Sequence, residues 1–280
     1  MPAAVLALLA SLSWGTSDYL AGLEARRSTA WTVALGGQVA ASLSLLGLLA
    51  VLAPVPPSPG ALLAPLAGGT IGGAGVLLYY RALSLTSMTV VSPIVASAAL
   101  VPVLWGIIGG ERPGPVRVIG IAVTLAGVAL IARRPRGESP ARRPGARSGI
   151  VAAVAAAAAF GIFLVALDHG EAGGLWTVAV ARTTAMLALV DAAGLARPAV
   201  SFRRRALPVL VVVGLLIAAA NVLFTSAASL GHLSVVGVLG WLNPAVTMLW
   251  ARALLHERLT PLQLGAAGLV FAGIVCLVLG

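Results

Sequence analysis

Ten apolar runs of about twenty residues, separated by short polar or proline-rich breaks, fill most of this chain. A helix rises about 1.5 Å per residue, so such a run matches the roughly 30 Å hydrocarbon core of a bilayer. The chain is 60% hydrophobic and only 9% charged, against about 25% charged residues in soluble domains. That leaves too little polar surface to cover a water-soluble fold of this size. The expected fold is an all-α membrane protein of ten transmembrane helices. The runs lie at about 4–23, 31–53, 61–83, 87–109, 115–133, 148–168, 175–196, 207–229, 233–254 and 261–279. The first begins at Ala3 without a basic segment before it and continues past Trp14 and Gly15. It reads as a membrane helix and not as a cleavable signal. The proline-rich stretch 54–60 cannot continue a helix and marks a turn. The Arg-, Pro- and Gly-rich stretch 133–147 reads as a flexible linker.

The two sides of that linker share a register. Trp31-Thr32-Val33-Ala34 recurs as Trp176-Thr177-Val178-Ala179, an offset of 145 (176 − 31). At that offset Ala82, Ser84, Leu104 and Trp105 meet Ala227, Ser229, Leu249 and Trp250. After a one-residue insertion, Glu111-Arg112 meets Glu257-Arg258, Pro115 meets Pro261, and Gly127 meets Gly273. Apolar chance pairs Val with Leu; it does not readily pair two Trp and a Glu-Arg in one register. The chain therefore divides into a five-helix repeat (1–133), a basic linker (134–147) and a second five-helix repeat (148–280). Five is odd, so the second repeat enters from the opposite side of the membrane. That inverted arrangement is the plan of many secondary transporters.

Charge orients the helices. The net charge is +10, and all 18 basic residues are arginine. Loops 1–2, 3–4, 5–6, 7–8 and 9–10 hold 13 arginines between them; the other loops hold only Arg112 and Arg117. By the positive-inside rule the arginine-rich face is cytoplasmic and both termini lie outside. Basic residues gathered between apolar runs set topology, so no nucleic-acid partner is expected. The lone Cys276 reads as a small hydrophobe, and His169, His232 and His256 as isolated interfacial residues. No metal or other cofactor is expected, and no catalytic constellation is recognisable, so the chain is not read as an enzyme. Gly68-Gly69-x-x-Gly72-Gly73 lies inside an apolar run and lacks a following Lys, so it reads as a helix-packing face and not a phosphate loop.

Two five-helix repeats, Trp14-Gly15 in the first helix, and Glu-Arg-x-x-Pro before the last helix of each repeat resemble the drug/metabolite transporter superfamily. More narrowly the chain resembles an EamA-domain protein over nearly its whole length. The resemblance implies a ten-helix exporter or exchanger of small metabolites. It also implies that helices 5 and 10 are scaffold, while helices 1, 3, 4, 6, 8 and 9 surround a cavity. Members often carry an Arg in the second helix of a repeat. Here the second half has Arg182, but Gly37 stands at the matching place in the first (182 − 145).

Charges inside spans are costly and often functional, which singles out Asp18 and Arg182. Asp18 is a candidate proton-coupling carboxylate. Arg182 is a candidate for attracting an anionic group. Their levels along the helices differ by about 10 Å, which argues against a direct ion pair. Asp191 reads as interfacial. Carrier sites tend to lie at broken helices near the midplane, and a proline inside a helix frees a carbonyl and kinks the chain. Pro93, Pro102 and Pro244 are the candidate break points of helices 4 and 9. Trp14, Trp241 and Asn243 fall near mid-depth and offer an aromatic wall and an amide to an amphipathic solute. Asn221, Tyr79, Tyr80, Gln38 and Ser92 are weaker candidates, the tyrosines being expected at the membrane interface. Glu111 and Glu257 precede helices and favour the positive helix end, which explains them without transport. A small-molecule substrate, the lipid bilayer and possible proton coupling complete the expected partners, for a monomer or a homodimer. The alternative reading is a non-transporting or lipid-handling membrane protein.

Overall fold

The computed structural model describes residues 2–25, 27–85, 94–95, 97–131, 146–168, 174–255 and 261–279. Most of the basic linker, Pro93 and Glu257 lie outside them. The described residues are mostly helical, and no strand occurs among them. In chain order the helices are α1 (Pro2–Ala25), α2 (Ala30–Leu52), α3 (Leu63–Leu85) and α4 (Leu100–Ile108). Then come α5 (Pro115–Ile131), α6 (Ala146–Asp168), α7 (Gly174–Ala196) and α8 (Leu207–Ala228). The chain closes with α9 (Leu233–Gly240), α10 (Asn243–Leu255) and α11 (Pro261–Leu279). Among the described residues five stretches are long and apolar enough to cross a membrane: Trp31–Leu52, Pro59–Tyr79, Arg147–Asp168, Gly174–Ala196 and Leu207–Ala228. At 24 residues α1 matches them in length.

The helices pack mainly across the repeats. α3 packs on α6 and α7 of the second repeat, and its counterpart α8 packs on α1 and α2 of the first. The self-related pairs α2 with α7 and α5 with α11 also touch, and α4 touches α9 of the other repeat. Exchanging the two repeats leaves this pattern unchanged, which is what a pseudo-two-fold axis in the membrane plane requires. The main core follows the same interlock: Ala7 and Ala10 of α1 lie with Phe224 and Ala227 of α8, all fully buried. Helix α3 can sit in the groove between α6 and α7 because its glycines alternate in direction. A Cβ at Gly72 would meet Phe163 of α6 at 2.8 Å, and one at Gly73 would meet the Ala185 carbonyl of α7 at 2.7 Å. Small residues allow such approach where no hydrophobic effect drives helices together.

Loop contacts repeat the theme on the arginine-rich face. Thr29 caps α2, accepting the Thr32 N–H at 3.2 Å. Its hydroxyl also donates to the Ala199 carbonyl at 2.8 Å, tying loop 1–2 to loop 7–8. Both α2 and α7 end on a residue with positive φ, Ala53 at 41° and Arg197 at 45°.

The ninth apolar run is not one helix. α9 stops at Gly240, and α10 starts at Asn243. Trp241 and Leu242 form the junction, with Trp241 at φ −90°, ψ 23°. Pro244 therefore does not kink a continuous helix from inside. It is the second residue of α10, where a missing N–H costs nothing because no acceptor precedes it. Pro102 is likewise in the first turn of α4, just after the 3-10 turn Ser97–Ala99. Both prolines stand in the first turn of their helices; neither frees a carbonyl in mid-helix, as the sequence reading expected.

Candidate functional site

The break at Trp241 lies at the centre of an aromatic row. The Trp14 ring of α1 is 6.3 Å from Trp241 at 68°, and the Phe160 ring of α6 is 6.0 Å from it at 44°. Beyond Trp14 stands Phe224 of α8 at 5.7 Å, and beyond Phe160 stands Tyr79 of α3 at 6.3 Å. The row is symmetric by sequence. Phe224 is Tyr79 at the 145-residue offset, and Phe160 is Trp14 at 146. Trp241 has no aromatic counterpart, since Ala96 takes its place in the first repeat. Its indole N–H is buried and has no hydrogen-bond partner among the described residues.

The same offsets place α10 and α4. A Cβ at Gly15 would come 2.5 Å from Val246 Cβ and 2.8 Å from the Asn243 carbonyl. At Gly161 it would meet Val101 and, at 2.7 Å, the Ala98 carbonyl. Val246 and Asn243 are Val101 and Ala98 shifted by 145. Each half-helix thus starts against a glycine of the other repeat, which fixes how closely the two approach.

Two polar groups flank the row. On the side nearer loop 1–2, Asn243 Nδ2 donates to Asp18 Oδ2 at 2.7 Å. Asp18 is exposed, and Asn243 Oδ1 is buried without a partner among the described residues. Thr247 Oγ1 donates to the Gly15 carbonyl at 3.0 Å, and Trp250 Nε1 donates to Thr16 Oγ1 at 2.8 Å. These bonds fasten α10 along α1. On the opposite side Arg182 of α7 donates to Asn221 Oδ1 of α8 at 2.8 Å. Its guanidinium carbon lies 4.5 Å from the centre of the Phe163 ring, a cation–π distance. Asn221 is fully buried and donates through Nδ2 to the Ile217 carbonyl. Arg182 Nε is buried with no partner among the described residues. The carboxylate and the guanidinium each hold an amide, and neither holds the other.

A family model described as EamA-like transporter family matches residues 1–133 and again 147–279. The chain belongs to the EamA-like transporter family. Members are membrane transporters of small molecules, and the row of aromatics with its flanking polar pairs lies between the two EamA repeats. A solved crystal structure superposes on this EamA chain with a TM-score of 0.81 at 19% identity. It covers 99% of this chain and 96% of the other, and at that identity it shows the shared fold alone. No curated relative matches the sequence.

The structure brings together Trp14, Asp18, Trp241 and Asn243 from the sequence-chosen residues, and separately Arg182 with Asn221. Asp191 is exposed on α7. Gln38 is buried on α2 with Oε1 unpartnered among the described residues. Pro93 and Ser92 lie outside the described residues. Tyr79, partly exposed on α3, packs edge-on against Phe160 of α6. Phe160, Phe163, Phe224 and Thr247 were missed. A signal existed for two of them: the repeat pairs Phe224 with Tyr79 at an offset of 145 and Phe160 with Trp14 at 146, and aromatic matches in an apolar repeat are rare. Glu111 was placed at the start of its own following helix, α5, but its carboxylate caps α9 of the other repeat.

Proposed function

We propose that this EamA protein is a secondary transporter, an exporter or exchanger that moves a small amphipathic organic solute across the cytoplasmic membrane by alternating access. In this reading the eleven described helices form ten spans, α9 and α10 being the halves of one, with both termini outside. The observation that carries the proposal is the aromatic row centred on Trp241. It crosses the pseudo-two-fold axis where the half-helices begin, with a carboxylate–amide pair on one side and a guanidinium–amide pair on the other. Aromatic faces take up the apolar body of a solute, and the two polar groups orient its ends. Rocking one repeat against the other exposes the row to each side in turn. Asp18, exposed towards the arginine-rich face, is the coupling carboxylate; it carries a proton or a cationic group of the solute.

The test is flux into liposomes containing the purified protein, with a panel of amino acids, nucleobases and organic cations, with and without a pH gradient. Asp18→Asn should retain the fold and lose the dependence on the gradient. Unchanged dependence removes Asp18 from coupling.

A second reading is lipid handling. An apolar groove of about 390 Å³ runs along α1 and α10, lined by Leu12, Val246, Leu249, Trp250 and Ala253. Leu12 and Leu249 are exposed there, so the groove opens laterally and suits an acyl chain. Transfer of a fluorescent phospholipid between vesicles, with no solute flux, would favour it.

A further inference from the structure

Glu111 follows α4 on the arginine-poor face. Gly109 and Gly110 reverse the chain there, Gly110 at φ 99°, a conformation that favours glycine. The Glu111 N–H then donates to the Gly106 carbonyl at 2.9 Å, folding the residue back over the last turn of α4. A Cβ at Gly106 would lie 2.5 Å from Glu111 Oε2, so the glycine makes the seat for the carboxylate.

From that seat both oxygens reach the other repeat. Oε1 accepts the Leu233 N–H at 2.6 Å, and Oε2 accepts the Ser234 N–H at 3.1 Å. These are the first two residues of α9, whose N–H groups have no acceptor within their own helix. His232 Nδ1 is 4.0 Å from Oε2. A carboxylate on two such N–H groups, at the positive end of the helix dipole, is among the stronger polar contacts a protein makes.

Two observations give the contact a role beyond capping. Every residue of α9 is buried, and a Cβ at Gly237 would lie 2.6 Å from Pro102 Cγ of α4, so the two helices approach closely there. Towards the arginine-rich face, by contrast, Asp18 is exposed. α9 is thus enclosed at the end that Glu111 ties. Moreover, α4 belongs to one repeat and α9 to the other, so rocking the repeats apart at this end must break the contact.

We propose that Glu111 is a latch: its carboxylate shuts the arginine-poor end of the pathway by tying the tail of α4 to the head of α9, and its release opens that end. The proposal rests on the transport reading above. In the register of the repeat Glu257 corresponds to Glu111, and Met88 and Thr89 correspond to Leu233 and Ser234 (233 − 145 and 234 − 145); Glu257, Met88 and Thr89 lie outside the described residues.

The test uses the full-length protein in membrane vesicles, with Cys276→Ser and Ser234→Cys. The Ser234 side chain is fully buried and lies three residues from Gly237, hence on the helix face that meets α4. The cysteine keeps the backbone N–H that Glu111 holds. Labelling by a membrane-impermeant maleimide reads how often this end opens. Glu111→Gln should raise the rate by about tenfold or more, since a charge-assisted bond is lost, and Glu111→Asp should give an intermediate rise. A Glu111→Gln protein of unchanged size-exclusion profile that labels at the parental rate overturns the latch. If that variant does not fold, Glu111→Asp labelled at the parental rate overturns it equally. Solute flux on the same samples separates the two ideas. Faster labelling without flux in any variant supports the latch and counts against transport. Flat labelling with intact flux overturns the latch and leaves transport standing.

Discussion

Gly15 and Gly161 show how much of the site hangs on single residues. Each is the point where a helix of one repeat lets the backbone of the other come within van der Waals range. Gly15→Ala would set a methyl 2.5 Å from Val246 Cβ. Overpacking of this kind costs about 1–3 kcal/mol. It should also push Asn243 away from Asp18. Gly22, on the same helix, has nothing within 4 Å of a built Cβ. Gly22→Ala should therefore leave stability unchanged or raise it by up to about 1 kcal/mol. Thermal unfolding of both variants in detergent checks the pair; equal melting temperatures would contradict the close approach. The partners of Asp18 and Arg182 were not legible in the sequence. Spacing along a helix gives depth, which is why a direct pair between the two was not expected. It does not give azimuth, and Asn243 and Asn221 come from helices 225 and 39 residues away.

Among the elements, the apolar runs located most helices to within a few residues: 175–196 became Gly174–Ala196, and 207–229 became Leu207–Ala228. Long apolar stretches bounded by Arg, Pro or Gly leave a helix few alternatives in a bilayer. The break in the ninth run was placed near Pro244, but its position at Trp241-Leu242 was not legible. Trp and Leu are both common inside membrane helices, so residue type alone does not mark the junction, and the proline marks the start of α10 instead of a kink. This changes what Pro102 and Pro244 are expected to do. A mid-helix proline removed would repair a hydrogen bond and straighten the chain. A first-turn proline removed has no bond to repair, so Pro102→Ala should shift stability by less than about 1 kcal/mol. A melting temperature several degrees higher, with altered labelling of the site, would show that Pro102 does bend the helix from within.

At the scale of the molecule, the repeats are interlocked. The large contacts of α3, α5 and α8 are all with helices of the other repeat, while consecutive helices such as α1 and α2 touch little. Neither repeat can bury its own packing faces. Expressed alone, residues 1–133 and residues 147–280 should each aggregate on extraction into detergent. Expressed together as two chains they should assemble and copurify. A monodisperse single repeat would contradict the interlock. The shared register of Trp31 with Trp176 revealed the duplication from sequence, but not that the two copies interpenetrate; self-similarity carries no information about partners. That interpenetration puts the aromatic row where the two repeats meet. The most direct test of the whole account is solute uptake by liposomes containing the purified protein, compared with the Trp14→Ala variant and with protein-free liposomes. The account predicts saturable flux of at least one amphipathic solute, strongly reduced in Trp14→Ala. A correctly folded protein that moves no member of a broad solute panel faster than protein-free liposomes would contradict it.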